Sequence, residues 1–278
     1  MLMSPKKKSS PDPGVPTTSS SRRHRLDPVP QWSRLLDHND EARQRKKNDR
    51  YQVEIPNRLW SLFGHVRPVE PEKRELYSLG SCVTAASGKT LACCVMACCA
   101  GSFHSLDCWD SQLLDRIMVN GQDYHEVSLA GRLRKDLGPG GELTLESLGT
   151  ACSLDGQPFW LDIEKFSSGK LYNKSKSLGS ALSVFFAHHL QTGILQLRDQ
   201  ALAFGYIPEF AAGGAFFMFH CQAQGKPVFN ECETAPYVLR MRQLKQLLNC
   251  ILITLDERQH NVPFKIHKVH CVPMAAYM

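Results

Sequence analysis

The apolar positions change their spacing about halfway along the chain. In the first half, Leu91 to Ala100 is an uninterrupted apolar run, which predicts a short buried helix with Thr90 as its N-cap. A second helix is predicted to begin at Asp107 and to end at Asn120-Gly121. Its apolar residues recur on one face with a helical period: Trp109, Leu113, Leu114, Ile117 and Met118.

The second half of the chain has the pattern of strands with helices between them. A hairpin is predicted around Arg198-Asp199-Gln200, because short apolar runs flank this polar turn. The predicted strands are 158–163, 194–197, 201–207, 215–220, 237–241 and 262–272, and the predicted helices are 182–190, with Ser180 as its cap, and 243–255. A helical front half packed on an antiparallel sheet is an α+β fold class.

The first 74 residues differ in composition from the rest. Residues 1–50 are rich in Ser, Pro, Lys and Arg and lack apolar clusters, so they are predicted to be a disordered basic tail. Residues 51–74 are predicted to form a short apolar anchor followed by a linker. The compact domain is then expected to span residues 75–278.

Positive charge is concentrated in the tail. The chain has 33 Lys and Arg against 27 Asp and Glu, and residues 1–50 alone hold 12 and 6 of them, so the remainder is balanced. This distribution excludes a uniformly basic nucleic-acid-binding body and leaves only the tail for phosphate contacts or for an acidic import receptor. We therefore expect the protein to be located in the nucleus, with the cytoplasm as the alternative. The basic clusters are Lys6, Lys7 and Lys8; Arg22, Arg23 and Arg25; and Arg43, Arg45, Lys46 and Lys47.

The cysteines indicate a reducing compartment. Eleven Cys occur in a chain whose first residues run into a lysine cluster without the apolar core of a signal peptide. The longest apolar run is about half of the roughly 18 residues that a membrane-spanning helix needs. We therefore expect an intracellular protein with reduced thiols and no membrane partner.

Metal and nucleotide sites are not indicated by the cysteines or by the glycines. Cys93, Cys94, Cys98 and Cys99 lie within the apolar helix, where packing as small hydrophobic residues is the favoured interpretation, and the chain has no Cys-x-x-Cys. His267, His270 and Cys271 are interpreted as ordinary strand residues. The segment 87–90 resembles only the end of a phosphate-binding loop, so no metal and no cofactor is predicted.

A thiol hydrolase remains an alternative on the residues alone. Such an enzyme needs a Cys near a helix N-terminus and a distant His as base. Cys93 or Cys94 lies in the first turns of the apolar helix, and His220 follows Cys94 by 126 residues. Asn230 or Glu231 would then orient the imidazole ring.

The order of these elements resembles the papain-like cysteine protease domain of the herpesvirus large tegument protein, a deubiquitinase, and its cellular and transposon-borne relatives. The resemblance rests on Gly88-Lys89-Thr90 before the apolar helix, on Trp109 and Leu114-Asp115-Arg116-Ile117, and on Gly121-Gln122-Asp123-Tyr124. Further along, it rests on Phe219-His220-Cys221-Gln222 and on Glu233-Thr234-Ala235. It covers residues 75–272 and implies a papain-like fold.

The same resemblance implies that the catalytic residues are replaced. The family's nucleophilic Cys falls on Thr90, its Asp-x-His pair falls on His220 and Gln222, and the Gln of its oxyanion hole falls near Tyr77. A Thr hydroxyl without an adjacent base is a poor nucleophile, and an amide cannot transfer the proton. No catalytic residue is therefore expected.

Three functions remain open at this stage. The first is a non-catalytic protein-interaction module whose partner is ubiquitin, a related modifier or another protein. The second is an active cysteine hydrolase that uses Cys94, or Cys93, with His220 and Glu231. The third is a chromatin or nucleic-acid adaptor, in which the tail binds phosphates without sequence preference.

Overall fold

The computed structural model describes most of the compact domain and the segment that precedes it. The described residues are 49–65, 86–133, 137–138, 141–209, 213–221, 235–257 and 262–275. The basic clusters, Tyr77, Gln222, Asn230 and Glu231 lie outside these ranges. Within them, no helix combines the length and the apolar character needed to cross a lipid bilayer.

In these ranges, nine antiparallel strands form one sheet in the order β1-β2-β8-β7-β6-β5-β9-β4-β3. The strands are β1 Gln52–Ile55, β2 Leu59–Phe63, β3 Ala151–Leu154, β4 Gln157–Lys170, β5 Thr192–Leu197, β6 Gln200–Ile207, β7 Ala215–His220, β8 Tyr237–Met241 and β9 Pro263–Pro273. The hairpin predicted around Arg198-Asp199-Gln200 is confirmed as β5 and β6.

Four α-helices of the described part of the chain cover the two faces of the sheet. They are α1 Gly88–Phe103, α2 Ser111–Ala130, α3 Leu178–Ala187 and α4 Leu244–Leu255. Side chains of β6 alternate between the faces: Ala201 and Ala203 pack in the core that contains α1, and Leu202 and Phe204 pack in the core that contains α3 and α4. The predicted α+β class is confirmed, with helices on both faces of the sheet.

The first two helices differ from their predicted limits at three points. The N-cap of α1 is Ser87 rather than Thr90, and that of α2 is Asp110 rather than Asp107. Asn120-Gly121 does not end α2, which continues to Ala130. A Cβ on Gly121 would lie 2.6 Å from the Cys93 Sγ and 2.8 Å from the Cys93 Cα, so glycine here lets the two helices approach closely.

The segment predicted as a surface anchor belongs to the sheet. Strand β1 pairs with β2, and β2 pairs with β8 over residues 59–63. Arg240 of β8 fixes this hairpin: its guanidinium lies 5.3 Å from the centroid of the Trp60 ring and forms a bidentate pair with the buried Glu209, at 2.8 and 2.6 Å. Residues 52–63 therefore extend the domain.

Candidate functional site

The start of α1 is the place where a papain-like enzyme carries its nucleophile, and here the backbone donors of Gly88 and Thr90 are occupied. The Ser87 Oγ accepts a hydrogen bond from the Thr90 N–H at 3.2 Å and lies 3.0 Å from the Thr90 Oγ1. The Gly88 N–H donates to the Glu142 Oε2 at 3.4 Å. A hydroxyl and a carboxylate thus take the positive end of the helix dipole, which would otherwise stabilise a thiolate or an oxyanion.

A histidine that was not among the predicted site residues lies beside this helix end. A Cβ on Gly88 would lie 2.8 Å from the Nε2 of His125, a buried residue of α2. The pKa of His125 is lowered, first by burial and then by the charge of Lys89, and the carboxylate of Glu142 offsets only part of this shift. The His125 Nδ1 is buried and has no hydrogen-bond partner in the described part of the chain.

Three thiols meet next to Thr90. The Cys221 Sγ lies 3.8 Å from the Thr90 carbonyl oxygen, and Cys221 interacts with both Cys93 and Cys94. The pKa of Cys93 is raised, first by its hydrogen bond with Cys221 and then by burial, and the pKa of Cys94 is raised mainly by burial. Thiols that stay protonated are weak nucleophiles.

Cys221 itself also remains a thiol. Its hydrogen bond with Cys93 lowers the pKa of Cys221, but the hydrogen bond with Cys94 and burial together raise that pKa well above its ordinary value. All three side chains are at most 5% exposed. The cluster is therefore part of the apolar core beneath the start of α1.

The imidazole of His220 lies on the other face of the sheet. His220 is directly opposite Tyr237 in the β7–β8 ladder, and the centroids of their rings are 5.7 Å apart. Tyr237 belongs to the core of α3 and α4, and its hydroxyl lies 3.0 Å from the Thr254 Oγ1 on α4. Since α1 covers the opposite face, the structure does not bring His220 to Thr90, Cys93 or Cys94.

The arrangement excludes the predicted thiol–imidazole pair in this conformation. A base must come within about 3 Å of the proton-bearing atom, or reach it through one water. The sheet separates His220 from Cys94, and Glu231 and Gln222 lie outside the described residues. In the described ranges, no three His, Cys, Asp or Glu side chains are arranged to hold a metal ion.

Sequence reasoning missed His125 and Glu142, although the signal for His125 was present. His125 follows Gly121 by four residues on α2 and so lies on the same helix face, toward α1. The prediction that α2 ends at Gly121 concealed this relationship. Glu142 follows the glycine-rich turn at 138–141, and only tertiary structure brings it to the helix end.

Comparison with known proteins identifies a family and related solved structures. The family described as the herpesvirus tegument protein N-terminal conserved region matches residues 78–275. A structure of the ubiquitin-specific protease encoded by the murine cytomegalovirus tegument protein M48, in complex with a ubiquitin-based suicide substrate, has a TM-score of 0.56 and 10% identity, over 78% of this chain and 88% of that one. No curated protein matches the sequence. The similarity confirms the predicted papain-like fold.

Proposed function

Because the chain belongs to the family of the herpesvirus tegument protein N-terminal conserved region, we propose that it is a deubiquitinase-like domain without catalysis that binds ubiquitin or a ubiquitin-like modifier. One observation supports the proposed absence of catalysis. The imidazole of His220 and the thiol of Cys94 lie on opposite faces of the sheet. Removing a single member of a catalytic triad already costs several orders of magnitude in rate.

The surroundings of Thr90 support the same proposal. Its hydroxyl has Ser87 as neighbour rather than a base, and the first backbone donor of α1 faces the carboxylate of Glu142. A tetrahedral oxyanion placed there would meet a negative charge instead of a free N–H group. The domain is therefore expected to bind without cleaving.

Binding is supported by the fold and by the accessible groups at the start of α1. The similar M48 protease is bound to a ubiquitin-based suicide substrate. In this chain, Lys89 is exposed at the helix end, and Thr90 is partly exposed beside it. The cation of Lys89 at the positive end of a helix suits an anionic segment of the partner.

The proposal is tested with ubiquitin in reactive and in unreactive form. A ubiquitin-based suicide substrate should leave the protein unlabelled, whereas unmodified ¹⁵N-ubiquitin should show fast-exchange shift changes that Lys89→Glu weakens. Lys245→Glu, at an exposed lysine of α4, is the matched control and should leave the shifts unchanged. Covalent labelling that is lost in Cys94→Ser would establish the hydrolase instead. Absence of any shift with ubiquitin would refute binding of this modifier.

For the tail, we propose nuclear import as its role and non-specific nucleic-acid binding as the second candidate. The supporting observation is the 12 Lys and Arg within residues 1–50. Deleting these residues should move a fluorescent fusion from the nucleus to the cytoplasm. If the tail instead binds phosphates, retention on DNA should fall steeply with salt and vanish on the same deletion.

A further inference from the structure

An open groove lies on the face of the sheet opposite α1, away from the proposed ubiquitin site. It has a volume of about 530 Å³ and lies between β4, α3 and the loop that joins them. Its floor is apolar, with Phe166 packed edge-on against Phe185 at 5.3 Å between ring centroids, and with Val184 46% exposed. Exposed apolar surface within a groove is typical of a binding site.

The rim of the groove is positively charged. Lys165 and Lys176 line it, both are exposed, and neither has an ion-pair partner in the described part of the chain. None of the described lining residues is acidic. Glu164, the adjacent carboxylate on β4, is paired with Lys268 at 2.7 Å and does not neutralise the rim. The groove therefore attracts negative charge.

The same groove runs along an unpaired sheet edge. Strand β3 pairs with β4 over residues 157–160, and the Leu161 N–H donates to the Thr150 carbonyl oxygen at 2.8 Å. Past Leu161, β4 pairs with β9 on one side alone in the described part of the chain. Near its end the loop returns to β4, where the Lys170 N–H donates to the Lys176 carbonyl oxygen at 3.3 Å. Between these two points, over residues 162–168, the described structure contains no partner for the outward-facing backbone groups.

Lysines and a bulge on an open edge are also devices that prevent strand pairing between copies of one protein. The ladder between β4 and β9 is irregular between Lys165 and Ser167. Two copies of this edge would place lysine against lysine, so self-association is disfavoured. An acidic strand experiences attraction from the same side chains. If the lysines only protect the edge, an acidic peptide should not bind there. If the edge is a binding site, an acidic peptide should bind.

We propose that this edge and groove bind an extended acidic peptide segment of a partner protein by strand addition. The peptide backbone would bond to the outward groups of residues 162–168, its carboxylates would lie near Lys165 and Lys176, and an apolar residue would contact Phe166 and Val184. This surface is independent of the start of α1, because Phe166 belongs to the core on the other face of the sheet.

The test uses a fluorescein-labelled peptide with four Glu-Val repeats, measured by fluorescence anisotropy at low salt with the full chain. Binding should weaken about tenfold in the double variant Lys165→Glu and Lys176→Glu, since two attractive charges become repulsive. Two controls accompany this measurement. The Lys245→Glu variant should bind the acidic peptide as the wild type does, and a Lys-Val peptide should not bind the wild type.

Hydrogen exchange locates the bound peptide and separates strand addition from charge attraction alone. Added peptide should protect backbone amides within 162–168, and circular dichroism should show that the double variant remains folded. An acidic peptide that does not bind, or that binds the double variant equally well, would overturn the proposal. The lysines would then serve only to prevent strand pairing at this edge. Protection confined to another strand would overturn the site.

Discussion

His220 and Cys221 are neighbours in the chain, yet their side chains lie on opposite faces of the sheet. The ring of His220 packs on Tyr237 in the core of α3 and α4. The sulfur of Cys221 contacts the Thr90 carbonyl oxygen at the start of α1. The two-residue period of a strand therefore places a thiol, and not an imidazole, beside Thr90, the predicted position of the family's nucleophile.

Restoring the missing sulfur alone should not restore activity. In Thr90→Cys, the new thiol would have the Glu142 carboxylate near its helix end, and the His220 imidazole would lie on the other face of the sheet. The nearby His125 has no hydrogen-bond partner at its Nδ1, in the described part of the chain, to orient it as a base. We expect no labelling of this variant by a ubiquitin-based suicide substrate under conditions that label an active papain-like protease completely. Labelling comparable to that enzyme would show that a base reaches residue 90 in solution.

The thiols beneath α1 should be unreactive in the folded protein. The pKa values of Cys93, Cys94 and Cys221 are all raised, with burial contributing to each, whereas Cys108 is exposed. Alkylation with iodoacetamide at neutral pH, followed by mass spectrometry, should modify Cys108 before Cys93, Cys94 and Cys221. The other three should react only after denaturant is added. Faster reaction of Cys94 than of Cys108 would contradict the assignment to the core.

The contact between α1 and α2 should be sensitive to a single methyl group. In Gly121→Ala, the new Cβ meets backbone and sulfur atoms of Cys93 below 3 Å, so the helices must separate. We expect a loss of about 1 to 3 kcal/mol in the free energy of unfolding, measured with urea. Gly131→Ala, where the nearest atom is 3.9 Å away, is the matched control and should change stability by less than about 0.5 kcal/mol.

Arg240 should matter more than an exposed arginine in a similar pair. Its removal leaves Glu209, whose side chain is 4% exposed, with the longer contact to Arg242 at 3.3 Å as its remaining ion pair among the described residues. Arg240→Ala should lower the free energy of unfolding by about 3 kcal/mol. Arg116→Ala breaks an exposed pair with Asp155 and should cost less than about 1 kcal/mol. Equal losses would contradict the role given to burial.

Acid should weaken the contact between the domain core and Glu146. A hydrogen bond with the buried His267 lowers the pKa of Glu146 to about 2, from an ordinary value of 4.5. Between these values the unfolded chain binds a proton that the folded chain does not. Stability from this contact is therefore complete above pH 4.5 and declines as the pH falls toward 2.

The Glu146→Gln variant provides the measurement for this contact. Its free energy of unfolding should depend less on pH between 4.5 and 3 than that of the wild type, by a fraction of a kcal/mol because Glu146 is largely exposed. Glu126→Gln, at an exposed position of α2, should retain the wild-type slope. Identical slopes for wild type and Glu146→Gln would contradict the assignment.

The sequence predicted the central strands well because their signals are local. Strands 215–220 and 237–241 were located with their observed limits, since each is an apolar run next to turn residues. Strand β3 was missed because Leu154 is its only buried residue, so it has no alternating pattern. Gly121 misled the prediction of α2, since a glycine that ends a helix and one that admits a neighbouring helix look alike in sequence.

The candidate site depends on register and on tertiary contacts, which the sequence does not specify. The position of Thr90 at the start of α1 followed from the apolar run after it. The side of the sheet on which His220 lies depends on where β7 begins relative to β8, and a shift of one residue would reverse it. The contact of Glu142 with Gly88 joins residues 54 positions apart and has no local signal.

The β1–β2 hairpin precedes the region shared with the family, which begins at residue 78, yet it supplies the neighbour of β8. A recombinant fragment trimmed to the shared region would therefore leave the apolar strand β8 as a free border and would separate Arg240 from Trp60. An exposed, apolar edge strand of this kind is a template for aggregation. Expression vectors for this protein should accordingly begin upstream of Asp49, and poor solubility of a shorter product would reflect the missing strands rather than an unstable fold.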